Sequence, residues 1–79
     1  MTLQWDKNTH YFHYLADDKR QYASVQKHSD GKWRAEIYLG VIYDNEEDFR
    51  RLLSRGYKHI KDAKAWAEGL VNFHRMMAL

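Results

Sequence analysis

The side chains best suited to recognition chemistry lie at alternating positions of one segment. Within residues 33–43, Arg34, Glu36 and Tyr38 alternate with apolar residues. Alternate side chains of a strand project from the same face, so these three would share one face of a sheet. Arginine pairs with guanine and glutamate accepts a hydrogen bond from cytosine, so this face can read bases in a DNA major groove. The alternative is an ordinary solvated face holding a cross-strand Arg/Glu pair.

A predicted hairpin places further polar groups beside this face. Asp30-Gly31 lies between two alternating runs, which favours a tight β-hairpin. The preceding strand, residues 21–28, has Ala23 and Val25 on one face. Its other face carries four larger or polar residues, Tyr22, Ser24, Gln26 and His28. A further strand within residues 50–57 would add one of two alternating sets, Arg51, Leu53 and Arg55 or Arg50, Leu52 and Ser54.

This pattern resembles a known family of small DNA-binding domains. The run Ser24–Gly40 is similar to the sheet hairpin of the arm-type domains of tyrosine integrases and of plant ethylene-response-factor domains. Both have a glycine and a basic residue, then an aromatic, then alternation through alanine to isoleucine, as in Gly31–Ile37. The run Gly56–Ala67 resembles their last strand entering the covering helix. In that family an aromatic residue precedes the helix, and an alanine and a second aromatic residue of the helix face the sheet. Tyr57, Ala63 and Trp66 match these three positions. The resemblance covers residues 22–70.

The resemblance implies a sheet whose outward face contacts double-stranded DNA. Carried over by position, the DNA-binding residues would be Gln26, His28, Arg34, Glu36, Tyr38, Arg51 and Arg55. Two departures stand against this. Gln26, His28 and Tyr38 occupy positions where the family tends to have arginine. The acidic run 44–48 lies where a basic or neutral loop is usual, and phosphate repels carboxylates.

The N-terminal stretch, which has no counterpart in that family, is rich in aromatic residues. Its four large rings are those of Trp5, Tyr11, Phe12 and Tyr14. Aromatic anchors dominate protein interfaces, so this group is a candidate patch for a protein partner or a homodimer seam. Equally, a short domain can need all of these rings in its core.

The elements that must position these residues predict an α+β fold. Strand-like runs fill the first half, and residues 60–79 have the three- and four-residue apolar spacing of an amphipathic helix, with Phe73 and Met77 on its core face. Gly69 either ends a first helix or lies within one. Residues 44–53 favour a capped helix or an acidic loop leading to a strand, and we prefer the strand for their later part. We therefore predict an antiparallel sheet of three or four strands, covered on one face by a C-terminal helix.

The length of 79 residues predicts a single domain, with residues 1–20 as an extension or edge strand and 21–79 as sheet plus helix. The chain has no cysteine, and its histidines lack metal-ligand spacing, so we expect no metal and no cofactor. No nucleophile elbow, phosphate loop or metalloprotease motif is present, so we expect no enzymatic activity. No run of apolar residues could form a signal or a membrane span, which favours a cytoplasmic protein.

Two functional hypotheses remain after this reading. The first, which we prefer because of the resemblance, is a small non-catalytic DNA-binding domain that uses the exposed sheet face. The second is a stand-alone modulator or inhibitor, of phage or mobile-element type, that binds a host or phage protein. The net charge of +2 and the acidic run favour the second more than the first.

Overall fold

A five-stranded antiparallel sheet with a long helix on one face forms the protein, in a computed structural model that describes residues 3–79. The strands follow one another in chain order, β1 (Gln4–Thr9), β2 (Phe12–Ala16), β3 (Gln21–Lys27), β4 (Trp33–Tyr38) and β5 (Arg51–Leu53). A short helix, α1 (Leu39–Ile42), follows β4, and α2 (Ile60–Met77) ends the fold. The α+β class, the antiparallel sheet and the C-terminal helix are confirmed. The strand count is five rather than three or four, because the N-terminal stretch forms two strands of the same sheet.

The core lies between the sheet and α2, and small side chains let the two layers approach closely. Val25 and Ile37 of adjacent strands are fully buried beneath Ala63, Ala67 and Val71 of the helix. Four alanines of the core have no exposed surface, Ala23, Ala35, Ala63 and Ala67. Interiors are close-packed, so a larger side chain at any of them would push the helix off the sheet.

Tyr22 does not lie on the outward face, contrary to the alternation of its strand. The pairing shifts by one residue at this point, since Leu15 pairs with Ala23 while Ala16 pairs with Gln21. This β-bulge turns Tyr22 to the helix side, where it is buried and its ring lies 5.2 Å from the guanidinium of Arg75. A bulge cannot be read from an alternating sequence, because the alternation itself continues through it.

The strand predicted for residues 33–43 ends early, at Tyr38, and turns into α1. Gly40 allows the turn, because a β-carbon at this position would collide with the backbone carbonyls of Asn45 and Asp48. The chain then closes with Asn45 N–H donating to the Gly40 carbonyl at 2.8 Å, and Asp44 adopts a positive φ of 54°. The helix alternative for residues 44–53 is wrong, and the preferred strand is confirmed at Arg51–Leu53.

Helix α2 is continuous through Gly69, which faces open space. Its buried stripe is rotated from the predicted one: Val71 is fully buried, whereas Phe73 and Met77 are 55% and 64% exposed. The prediction that Phe73 and Met77 belong to the core is therefore wrong.

The antiparallel arrangement gives the sheet two ends, which we name by their connections. The hairpin end carries the turns at residues 10–11 and 28–32, together with the first turn of α2. The loop end carries the turn at residues 17–20, the segment 39–50 and the last turn of α2.

Asp17 organises the turn at the loop end and makes it sensitive to acid. The Tyr22 hydroxyl donates to its carboxylate at 2.7 Å, and the backbone N–H groups of Lys19 and Arg20 donate at 2.8 Å each. These bonds, led by that from Tyr22, lower the pKa of Asp17 from 3.8 to about 2. A carboxyl whose folded pKa is lowered stabilises the fold above its unfolded pKa and loses that contribution as pH falls toward the folded value.

We therefore expect the free energy of unfolding to fall between pH 4 and about 2, and Asp17→Asn to flatten this part of the profile. Urea unfolding followed by circular dichroism at several pH values measures it. Asp18→Asn is the matched control, since within residues 3–79 the Asp18 carboxylate accepts no hydrogen bond, whereas that of Asp17 accepts three. Equal flattening by both variants would contradict the role given to Asp17.

Candidate nucleic-acid interface

The outer face of the sheet, opposite α2, collects most of the predicted DNA-binding residues. Strand pairing places Gln26 beside Arg34, and Tyr38 beside Arg51, while Glu36 lies between them on β4. The alternation predicted for β4 and the choice of the Arg51 set for β5 therefore agree with the structure. His28 follows the end of β3 and Arg55 follows the end of β5, so both lie at the hairpin end rather than within the ladder.

In the part of the outer face nearer the loop end, the polar side chains bind one another. Arg51 donates to the Glu36 carboxylate at 3.2 Å, and its guanidinium lies 5.4 Å from the ring of Tyr38. The hydroxyls of Tyr38 and Ser24 are hydrogen-bonded at 2.8 Å. These side chains form a neutral network in which Arg51 and Glu36 pair across two strands. Such a cross-strand Arg/Glu pair is what the alternative interpretation of this face predicted.

Arg34 is held by the hairpin that precedes it. Its guanidinium donates to both carboxylate oxygens of Asp30, at 3.1 and 2.8 Å. Asp30 also accepts from the backbone N–H of Lys32 at 3.0 Å. These bonds, with that from Arg34 the largest cause, hold the pKa of Asp30 well below its usual range. The fork that would pair with guanine is thus oriented, and it is engaged by a carboxylate that is partly exposed to solvent.

The segment after β5 packs against the same hairpin. Trp33 and Tyr57 exchange two backbone hydrogen bonds of 2.7 Å. Gly56 lies so close that a β-carbon there would stand 2.9 Å from the Lys32 side chain and 3.1 Å from the Arg34 guanidinium. Arg55 stacks on the ring of Tyr57 at 4.5 Å. Three cations are therefore gathered where the hairpin meets this segment.

The charges of the chain are separated between the two ends of the sheet. The hairpin end carries six cationic side chains, those of Lys27, Lys32, Arg34, Arg55, Lys58 and Lys61. Its carboxylates are those of Asp30 and Asp62. The loop end carries six carboxylates, those of Asp17, Asp18, Asp44, Glu46, Glu47 and Asp48, and four cations, those of Lys19, Arg20, Arg50 and Arg75, so its net charge is negative.

The dipole of α2 has the same direction as this separation, because its positive N-terminus lies at the hairpin end. Opposed charges at the two ends cancel in the net value of +2, so composition alone could not show the basic end. The signal in the sequence was positional: the basic residues cluster around the predicted hairpin and before the helix, and the acidic residues cluster in residues 44–48.

The four aromatic residues proposed as a protein interface do not form one surface. Trp5 faces the helix, where its indole N–H donates to Glu68. Tyr11 lies in the turn at the hairpin end and is 61% exposed. Phe12 and Tyr14 lie on the outer face opposite Gln26 and Ser24, half-buried. The strand alternation separates Trp5 from Phe12 and Tyr14, so only the last two share a face.

Two surface cavities lie on either side of the hydrogen-bonded network of Glu36, Tyr38 and Arg51. A groove of about 380 Å³ opens on the outer face toward the hairpin end, lined by Ser24, Gln26, His28, Arg34, Ala35, Glu36, Leu53 and Ser54. A larger cavity of about 540 Å³ lies at the loop end, where Arg20 pairs with Asp44 at 3.1 Å and Arg50 with Asp48 at 3.0 Å. The smaller groove contains the candidate base-reading side chains, and the larger one is lined by charges that already neutralise each other.

No family model, curated protein or solved structure matches the chain. Within residues 3–79, no cluster of three or more metal-ligating side chains occurs. In the same range no helix has the length and apolar character needed to cross a bilayer.

Proposed function

We propose that this domain binds double-stranded DNA through its hairpin end and the adjoining half of the outer sheet face. The observation that carries the proposal is the separation of charge: the cations gathered around the β3–β4 hairpin face few carboxylates. Neutralising phosphates with lysine and arginine supplies most of the affinity of a protein for DNA. The basic end provides this, although the chain as a whole is nearly neutral.

The hairpin supplies the shape that the proposal requires. A two-stranded ribbon fits the major groove of B-DNA, which is about 12 Å wide. With the β3–β4 turn inserted, Gln26 and Arg34 would face base edges, where glutamine pairs with adenine and arginine with guanine. Lys32, Arg55 and Lys58 would then lie against the flanking phosphates. The carboxylates of the loop end would point away from the duplex, which fixes the direction of docking.

The test is fluorescence anisotropy of a labelled duplex pool, titrated with the protein at several salt concentrations. We expect the logarithm of the affinity to fall linearly with the logarithm of the salt concentration, with a slope of roughly −0.9 for each phosphate neutralised. About three contacts would give a slope near −2.7. Absence of binding at low salt by a folded sample would reject DNA as the ligand.

A second prediction uses two aspartates that each hold an arginine at opposite ends of the sheet. Asp30 accepts from Nη1 and Nη2 of Arg34, and Asp48 accepts from Nε and Nη2 of Arg50, each through both carboxylate oxygens. Asp30→Asn removes a negative charge from the DNA-facing end and frees the Arg34 fork, while its side-chain oxygen can still accept from Lys32 N–H. We expect the affinity for duplex DNA to rise about 5- to 10-fold in ~0.1 M salt, the effect of about one further phosphate contact.

Asp48→Asn is the matched control, because it frees Arg50 at the loop end. It should leave the affinity within about twofold. The anisotropy titration measures both variants. An equal rise for the two would show that net charge, rather than the hairpin end, determines binding.

The exposed end of α2 favours a protein partner as the second candidate. Four apolar side chains there are more than half exposed, those of Phe73, Met76, Met77 and Leu79. Methionine-rich surfaces adapt to different partners. Capture of a stoichiometric protein at physiological salt by the native chain, lost on replacement of Phe73 and Met76 by serine, would support this function.

A further inference from the structure

A second basic cluster lies on the helix side of the sheet, and of its members only Lys27 is also counted among the cations of the hairpin end. We call Lys7, His13, Lys27 and Lys64 the helix-side cluster. Lys7 and His13 are directly paired across β1 and β2, and His13 is paired with the buried Val25. This register directs both side chains to the helix side of the sheet. Lys64 comes from the second turn of α2, which packs over the same side.

Aromatic rings line the cluster. The Lys64 ammonium lies 5.1 Å from the ring of Trp5, and the Lys27 ammonium lies 5.6 Å from Tyr11 and 6.0 Å from Trp33. The His13 ring packs edge-on against Trp33, with ring centres 5.9 Å apart. These contacts hold the cations above apolar surface and reduce their access to water.

The cluster has more positive charge than the single neighbouring carboxylate, Glu68, can balance. All ion pairs within residues 3–79 are made by arginines, and no lysine of the cluster takes part in one. The Glu68 carboxylate accepts the indole N–H of Trp5 and attracts the Lys64 ammonium. Burial and then repulsion by Lys64 lower the pKa of His13. Burial lowers the pKa of Lys64 against the attraction of Glu68, and Lys7 repels it further. One carboxylate among these cations leaves a repulsion between like charges, and a bound anion would recover that free energy.

We infer that the helix-side cluster is a binding site for a phosphate group, held by Lys7, Lys64 and His13 above the rings of Trp5 and Trp33. His13 Nε2 donates to the His10 carbonyl at 3.3 Å, so Nδ1 of the neutral ring is an acceptor, to which the P–OH group of dihydrogen phosphate can donate. Phosphate suits the site because its oxygens accept several charge-assisted hydrogen bonds at once. The inference does not rest on the proposed DNA binding, since the cluster lies behind the sheet.

The experiment is an NMR titration of the whole chain with inorganic phosphate at pH 6, followed through the His13 ring and the indole N–H groups of Trp5 and Trp33. Sodium chloride at equal ionic strength serves as the reference. We expect saturable shifts with phosphate, with a dissociation constant on the order of millimolar, and no saturation with chloride. Shifts that chloride reproduces would overturn the inference, because they would reflect screening alone.

Charge-removing variants sharpen this test. Lys64→Gln should weaken phosphate binding about tenfold, as expected for the loss of a charged hydrogen-bond donor. Lys61→Gln, in the same helix and exposed, is the matched control and should leave the affinity within about twofold. If Lys64→Gln fails to fold, Lys7→Gln removes a charge of the cluster from an exposed strand position. Equal losses for the cluster variant and Lys61→Gln would reject a defined site.

Two further measurements assign the ligand and separate this site from the DNA face. Adenosine monophosphate binding tighter than inorganic phosphate would support a nucleotide site in which the rings contact the base, and equal affinities would support a site for the phosphate alone. Lys64→Gln should leave duplex affinity within about threefold, because Lys64 is not among the proposed duplex contacts at the hairpin end and on the outer face. Failure of duplex binding with phosphate binding intact would reject the proposed function and leave this site standing.

Discussion

Gly40→Ala should remove a large share of the free energy of unfolding of this domain. A β-carbon at position 40 would overlap the backbone carbonyl of Asp48 and stand 2.8 Å from that of Asn45. Both obstacles are backbone atoms, which cannot rotate away as a flexible side chain can. Overpacking a tightly packed site costs about 1–3 kcal/mol, and a backbone obstacle belongs at the upper end of that range. A domain of this size has a stability of only about 4–12 kcal/mol in total.

The measurement is urea or thermal unfolding followed by circular dichroism, and Gly69→Ala is its control. Gly69 lies in the exposed part of α2 with nothing within 4 Å of an added β-carbon. Alanine there should stabilise the fold by about 0.5–1 kcal/mol, since glycine is a poor helix former. If Gly40→Ala is as stable as the native chain, the loop at 43–48 can move away from α1, and the close contact is not a constraint.

The predictions from local pattern agreed with the structure wherever short-range chemistry decides the backbone. Asp30-Gly31 predicted the hairpin, and Gly31 takes a positive φ of 82° that suits glycine. The alternation of β4 placed Ala35 and Ile37 in the core and Arg34 on the outer face. Each of these depends on residues only a few positions apart.

The errors arose where tertiary contacts decide. Tyr22 is turned inward by a bulge whose cause lies in the pairing with β2, and β4 ends where Gly40 meets the backbone of a later loop. The stripe of α2 was rotated because Val71, rather than Phe73, is covered by the sheet. The sequence pattern does not contain the register in which two strands pair. It also does not contain how far the sheet extends beneath the helix.

The structure brings the predicted interface residues together only in part, for the same reason. The seven residues carried over from the family lie on or beside the outer face, but they divide into two groups. Glu36, Tyr38 and Arg51 bind one another, whereas Gln26, His28, Arg34 and Arg55 lie toward the basic end. The lysines at that end went unnoticed because their nearness depends on three separate segments meeting in space.

Arg34→Ala should weaken duplex binding by about 10- to 100-fold, the usual loss for an arginine that reads a base. Arg51→Ala should change it by no more than about twofold. The two arginines share the outer face, and each is paired with a carboxylate, Arg34 with Asp30 and Arg51 with Glu36. They differ in the end at which they lie, so the comparison separates the hairpin end from the sheet face as a whole. Anisotropy with a fixed duplex at one salt concentration measures both.

The salt dependence of the same variants distinguishes base reading from phosphate contact. If Arg34 reads a base, its loss should relax discrimination among duplex sequences and leave the salt slope nearly unchanged. If it contacts a phosphate, the slope should decrease by about one unit for every sequence. Equal losses for Arg34→Ala and Arg51→Ala would require Glu36 to release Arg51 on binding. The whole sheet face, rather than the charge-separated end, would then be the contact surface.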